Sequence, residues 1–308
     1  AHVNYDYRLA ARESAQEGMT QIMAMIAKYT NTVEDTETLT RYPYNITLGN
    51  LYYFWLAPTL TYQLNFPRCP RIRWWLVGSL VLRMFVTSSL MIFLGQQHVV
   101  PIIEKATDPI SRLDLVGILE RLVKLTIPVT YLWLLMFYLF FHLFLNLIGE
   151  LLRFGDRVFY KDWWNATTFE EYWRLWNLPV HYWMVRHLYF PLLRAGLGRT
   201  QAMLLVFTFS AVFHELLVSV PFHMLRFYAF GAMLGQIPLV GITKKLAQVP
   251  LWKNLSGGNF LFWATFCFIG QPMAVLLYYY DWKVLTQPTA GDQGTCGEFC
   301  SMEGTLAN

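Results

Sequence analysis

From Trp74 onwards the sequence returns repeatedly to apolar runs long enough to cross a lipid bilayer. One helical crossing needs about 20 mostly apolar residues. Trp74 to Gly95 meets that length with Arg83 as the one charge in its interior. Further runs extend from about Leu125 to Ile148, Ala202 to Pro221, Phe222 to Ile242 and Phe260 to Tyr280. In hydrocarbon each run must satisfy its own backbone N–H and C=O groups, which an α-helix does within a single segment. The predicted fold class is therefore all-α, a polytopic membrane helical bundle.

Composition agrees. Only 14% of the 308 residues are charged, against 55% hydrophobic and 17% aromatic. A soluble domain carries about 25% charged residues, so this chain has too few to coat a water-soluble globule. The net charge of +4 is mild and the basic residues are scattered. A nucleic-acid partner would require them in a stripe, and none is expected. Cys69, Cys267, Cys296 and Cys300 form no CxxC pair and have no accompanying histidine set, so no metal site is predicted.

Other stretches do not read as full crossings. Leu51 to Leu64 is apolar but short and broken by Pro58, so it reads as re-entrant or interfacial. Arg112 to Lys124 carries its apolar residues on one helical side and leads into the second run. Gly155 to Trp176 and Asn177 to Arg194 mix Trp, Tyr and Phe with charge, the composition of amphipathic helices at the headgroup level.

His214-Glu215 is the strongest chemical clue, because both residues lie near the middle of an apolar run. A charge at the centre of a membrane helix costs roughly 2.5–3.5 kcal/mol on insertion scales, so such residues face protein or a water-filled cavity. Ser210 lies one turn back on the face of His214, while Glu215 points about 100° away around the helix. Gln236 and Gln271 add polar groups in other runs, and His142 and Asn146 share a face of the second. A buried neutral histidine is suited to act as a general base. A serine elbow, an HExxH zinc motif, a Walker A loop and a dinucleotide fingerprint are all absent from the sequence. The plainer alternative is a transporter or structural membrane protein in which His214 and Glu215 relay protons or glue helices together.

A second cluster is Phe159-Tyr160-Lys161-Asp162-Trp163-Trp164-Asn165. Its aromatics suit an interfacial anchor. With Asp162 and Asn165 they equally suit a polar mouth for an amphipathic ligand.

These two segments, in this order and at this spacing, resemble the FYxDWWN signature and the catalytic-histidine segment (Ser210-Ala211-Val212-Phe213-His214-Glu215) of the membrane-bound O-acyltransferases. Trp176-Asn177-Leu178-Pro179-Val180-His181 and Gly270-Gln271-Pro272-Met273 resemble the type-1 diacylglycerol acyltransferase branch of plant and algal style. The sterol enzymes of the family differ at both places and stand as the runner-up. The resemblance implies a multi-pass endoplasmic reticulum membrane enzyme. It would join acyl-CoA, as co-substrate and without a further cofactor, to the hydroxyl of diacylglycerol. It assigns His214 as base and Asn177 as the second polar residue of the reaction chamber. Glu215 and Gln271 would line that chamber, with Gln236, Ser210 and His181 behind them. Phe159, Tyr160, Asp162, Trp163, Trp164 and Asn165, followed by Trp176, would lie near the acyl-CoA entrance. Arg157, Lys161 and Arg186 are candidate partners for CoA phosphates, each with snorkelling as its plainer role.

Whole family members carry further helices upstream and form homo-oligomers. Residues 1–50 are therefore expected to be a polar loop internal to a longer protein, 51–286 the catalytic region and 287–308 a flexible tail.

Overall fold

A computed structural model of the chain describes residues 40–249, 252 and 257–286. The expected tail at 287–308, with Cys296 and Cys300, and most of the expected N-terminal loop lie outside the described residues. The described secondary structure is helical apart from one isolated antiparallel bridge, Arg68 with Phe154. Four helical stretches are long and apolar enough to cross a membrane: Trp74–Ser111, Leu115–Leu151, Arg199–Phe222 and Gly257–Thr286.

Two compact units can be distinguished. The first holds the described residues up to Trp74 together with Ile148–Arg157. Its helix α1 (Leu48–Leu56) is capped by the Thr47 hydroxyl, which accepts from Asn50 N at 3.2 Å. The boundary expected at residue 50 thus falls inside a helix. Cys69 N donates to Arg153 O and Gly155 N to Pro67 O, both at 2.8 Å. A Cβ at Gly155 would stand 2.8 Å from Pro67 O, so only glycine allows that approach.

The second unit holds Trp75–Leu147 and the described residues from Val158. Helix α2 (Trp74–Leu94) passes through a π-helical turn, Gly95–Val99, into α3 (Val100–Glu104), and α4 (Thr107–Ser111) follows. Asp114 then caps α5 (Leu115–Phe137), accepting from Val116 N and Gly117 N. The amphipathic segment expected at 112–124 to lead into the second run does so from Asp114 onward. It is the opening of a continuous helix that runs on through a π-helical stretch, Tyr138–Phe144, to α6 (Leu145–Leu151). Pro128 lies inside α5. Hydroxyl bonds from Thr126 to Leu122 O and from Thr130 to Thr126 O flank the turn that loses its proline bond.

Short helices follow, as the aromatic composition predicts: α7 (Phe169–Leu175), α8 (Leu178–Met184) and α9 (Phe190–Arg194). Then come α10 (Arg199–Phe222), α11 (Tyr228–Leu234), α12 (Gln236–Leu246), α13 (Gly257–Ala264) and α14 (Gln271–Thr286). The expected fourth crossing, Phe222 to Ile242, is not one helix. His223 and Phe227 both adopt left-handed backbone angles, φ 51° and 60°, so the chain turns sharply between α10 and α11. Gly235 then separates α11 from α12. One core cluster joins Phe137, Phe141, Trp163, Phe169, Tyr172, Val240 and Phe262. Another joins Val99, Ile103, Leu122, Leu125, Val129 and Leu276.

Candidate active site

His214 sits in the middle of α10, and its environment fixes which nitrogen carries the proton. Nδ1 lies 2.8 Å from the backbone carbonyl of Ser210 and 3.4 Å from the Ser210 hydroxyl. A carbonyl oxygen only accepts, so Nδ1 is the donor, and in the neutral imidazole Nε2 is the nitrogen that holds the lone pair. The i−4 spacing of Ser210 is what supplies this acceptor. The indole of Trp173 meets the imidazole edge to face, ring planes at 90° and centroids 6.1 Å apart.

Trp173 was not among the residues expected from sequence. It projects from α7, packs edge-on against Phe207 of α10, and donates its indole N–H to Gln236 Oε1 at 2.9 Å. Helix α7 is itself fixed by the Thr168 cap, which accepts from Glu171 N, and by the buried Phe169 and Tyr172. Burial holds the Tyr172 phenol protonated, far above its ordinary range. The available sequence signal was spacing: Trp173 stands one turn ahead of Asn177.

Asn177 caps α8, its Oδ1 accepting from Val180 N at 3.2 Å. That bond commits the amide oxygen to the protein and turns Nδ2 outward as the remaining donor. His181 lies one turn on, its basicity lowered by burial and by the nearby Arg174. Trp176 packs among Trp133, Phe141, Tyr172 and Trp173. Gln271 opens α14 behind a π-helical turn, Thr265–Gly270. Its backbone N–H reaches Phe266 O, five residues back, and closes that π-helical turn.

Glu215 departs from the expected role. Only 3% exposed, it makes none of its hydrogen bonds to His214. Oε1 accepts from Arg226 N (3.2 Å) and Phe227 N (2.8 Å); Oε2 accepts from Phe230 N (3.1 Å) and the Tyr278 hydroxyl (2.7 Å). The carboxylate ties α10 to the 223–227 turn, to α11 and to α14. It is saturated by protein donors and is not placed to line a chamber or tune the histidine's tautomer. Arg226 extends the tie through its side chain, with Nε 2.9 Å from Asp281 Oδ2.

The signature segment is also more structural than a mouth requires. Phe159 (3% exposed) and Trp163 (1%) are core residues. Trp163 packs against Trp133, Phe137, Tyr172 and Trp263. Tyr160 is half-buried and its hydroxyl lies 2.7 Å from His142 Nδ1, a pairing the sequence did not suggest. Asp162, Trp164 and Asn165 remain exposed. The following loop is docked on α13: Asn259 Nδ2 donates to Trp164 O (2.8 Å) and Ala166 O (3.0 Å), and Trp263 Nε1 to Trp164 O (3.1 Å). A Cβ at Gly258 would come within 2.1 Å of Thr167 O, so this contact demands glycine.

Arg157, expected as a phosphate partner, is occupied within the first unit. Its guanidinium donates to Glu150 Oε2 (2.5 Å), Phe154 O (2.7 Å) and Gly149 O (3.2 Å). Lys161 and Arg186 are exposed. Among the described residues no three His, Cys, Asp or Glu side chains converge as a metal site.

The half-buried His214 on α10, with its Nδ1 occupied, and the aromatic segment docked on α13 are the two features that the sequence singled out. The sequence matches the model of the membrane-bound O-acyltransferase family over residues 20–279, and the chain belongs to that family. It is 47% identical over 281 residues to diacylglycerol O-acyltransferase 1C of Glycine max, covering 91% of this chain and 51% of that protein. It is 47% identical over 281 residues to diacylglycerol O-acyltransferase 1 of Corylus americana, covering 91% and 49%. The corresponding protein of Dictyostelium discoideum is 42% identical over 256 residues, covering 83% and 40%. The chain spans about half the length of the curated relatives it matches.

Proposed function

We propose that this chain carries the reaction site of an enzyme that transfers an acyl group from acyl-CoA to the free hydroxyl of diacylglycerol, giving triacylglycerol and CoA. The observation that carries the reading is the polarity of His214: Nδ1 is spent on Ser210 O, so Nε2 is free to accept a proton. The diacylglycerol acyltransferase names of the relatives supply the substrate class.

Nε2 of His214 takes the hydroxyl proton as the oxygen attacks the thioester carbonyl carbon. The carbonyl electrons move to oxygen, and Nδ2 of Asn177 is a donor suited to that oxyanion. The intermediate collapses, the C–S bond breaks, and the CoA thiolate takes the proton back from the imidazolium. The thiolate leaves readily, so neither a covalent enzyme intermediate nor a further cofactor is needed. The reading takes membrane diacylglycerol as acceptor, in line with the names of the relatives, and extends to an endoplasmic reticulum location and a homo-oligomer of the whole protein. A sterol or another lipid alcohol is the alternative acceptor. In the non-enzymatic alternative, His214 and Glu215 would relay protons together, but Glu215 spends both carboxylate oxygens on other donors.

The test is His214→Ala in the protein expressed from its complete reading frame, assayed with oleoyl-CoA and diolein. Loss of a general base predicts a rate about 10²–10⁴-fold lower, with the folded yield unchanged. Undiminished triacylglycerol formation would remove the assignment. Cholesterol competed against diolein in the same assay decides the acceptor.

A further inference from the structure

We infer that Trp173 is a positioning residue that locks Gln236 as a hydrogen-bond donor towards the substrate; this rests on the acyl-transfer reading above. The reasoning begins with chemistry that has one solution. An indole Nε1–H donates and never accepts. Its partner at 2.9 Å on Gln236 must therefore be the amide oxygen, Oε1. With Oε1 engaged, the group Gln236 has left to offer is its NH₂. Among the described residues that NH₂ has only the weak acceptor Sδ of Met233, 3.8 Å away. It is a donor held in place with most of its capacity unspent.

The same indole is the edge-to-face neighbour of His214 and of Phe207, two turns earlier on α10. One side chain thereby fixes the packing of the histidine and the polarity of the glutamine. The pattern is repeated at Asn177, whose amide oxygen is consumed by the α8 cap. His214 shows the opposite polarity, because its donor nitrogen is the one consumed. One acceptor and two committed amide donors are thus presented by side chains whose complementary atoms are occupied by protein.

That division matches what an acyl transfer requires. A single proton must be removed, and the negative charge that develops on the carbonyl oxygen needs donors only. An unlocked Gln236 could flip and present a carbonyl oxygen to that charge, which would repel it. Trp173 prevents the flip without contacting the reacting atoms. The donated NH₂ of Gln236 has one class of ligand, an oxygen that gains charge or carries lone pairs: the acyl carbonyl of the thioester or the acceptor hydroxyl.

The experiment compares wild type, Trp173→Phe, Gln236→Glu and the double variant in membranes, using the protein from its complete reading frame with oleoyl-CoA and diolein. Trp173→Phe keeps an aromatic ring against His214 and removes only the lock. It is expected to lower kcat about tenfold, as a partly mis-set oxyanion donor would, with the KM for oleoyl-CoA changed less than twofold. Gln236→Glu keeps an acceptor for the indole but cannot donate, and is expected to lose about 100-fold in kcat. The double variant is expected to be no worse than Gln236→Glu alone, since the lock has nothing left to orient. Wild-type kcat in Trp173→Phe, wild-type kcat in Gln236→Glu, or an additive double variant overturns the proposal while leaving the acyl-transfer reading intact. If Trp173→Phe fails to fold by size exclusion in detergent, the Gln236→Glu result decides alone. A wild type that acylates no lipid alcohol overturns the reading and this proposal together.

Discussion

The two most deeply buried glutamates are neutralised in opposite ways. Glu150, fully buried in the first unit, is held by charge: Arg73 reaches it through its backbone N–H (2.7 Å) and guanidinium (2.8 and 3.0 Å), and Arg157 through its own guanidinium. Glu215, in the second unit, is held by three backbone N–H groups and one phenol, with no cation on the carboxylate. Arginine pairing stabilises a carboxylate strongly but imports positive charge and long side chains. Backbone N–H donors bring neither, and they are fixed by the fold. They also couple the carboxylate to chain direction, so Glu215 sets the turn after α10 as well as being satisfied by it. The fold therefore uses a charge clamp where it joins loop to helix. Beside the candidate base it uses a neutral clamp, which adds no cation near His214.

This contrast can be broken by mutation. The largest effect is expected for Glu150→Ala, which leaves Arg157 buried without its partner. Removing one member of a buried ion pair costs about 3–5 kcal/mol, and the half-exposed Arg73 recovers part of this by hydration. The measurement is thermal unfolding in detergent, and activity per folded molecule should stay within about twofold.

Glu215→Gln comes next. One carboxylate oxygen becomes an NH₂, so part of the backbone set loses its acceptor, at about 1–3 kcal/mol for an unsatisfied buried group. Here kcat should also fall, because the turn that Glu215 fixes follows directly from the His214 helix. Equal activity losses in the Glu150 and Glu215 variants would show that the neutral clamp has no special bearing on the site.

Tyr278→Phe removes a single donor from Glu215 and is expected to cost no more than about 1.5 kcal/mol, the low end for a hydrogen bond to a charged group. It is expected to fall below Glu215→Gln, because the three backbone N–H groups remain. A larger loss would mean that α14 is held through Tyr278 and not through its apolar packing.

The smallest effect concerns pH. His181 has its pKa lowered by burial first and by Arg174 second. The unfolded chain therefore binds this proton more readily, and the stabilising contribution present above the ordinary histidine range is lost as pH falls through the lowered pKa. His181→Gln should flatten acid sensitivity in that window without changing stability at pH 8. An unchanged acid profile would remove His181 as its source.

Much of this was legible in the sequence. The apolar runs at Trp74, Leu125, Ala202 and Phe260 each correspond to a helix long enough to cross. The Ser210–His214 spacing anticipated a shared face, and the 100° offset of Glu215 anticipated a different wall. The reading of 222–242 as a fourth crossing failed because apolarity does not report where backbone donors are spent. Three N–H groups at and after the turn are drawn to a carboxylate 11 to 15 residues earlier. Arg157 looked available for phosphate because its charge is local in sequence, whereas its carboxylate partner is set by the fold.

The sequence by itself determined the helical class, the chain segments that can enter a bilayer and the residue types able to act as base and amide donors. Those are properties of length, periodicity and side-chain chemistry, which act over one or two turns. Only the tertiary structure decided the polarity set by distant partners: which end of Gln236 is spent and what Glu215 binds. Asn177 is oriented by its own helix cap, but Gln236 answers to an indole 63 positions away and Glu215 to a phenol 63 positions away. Hydrogen-bond direction is settled by such partners, and their distance along the chain leaves no local pattern to read.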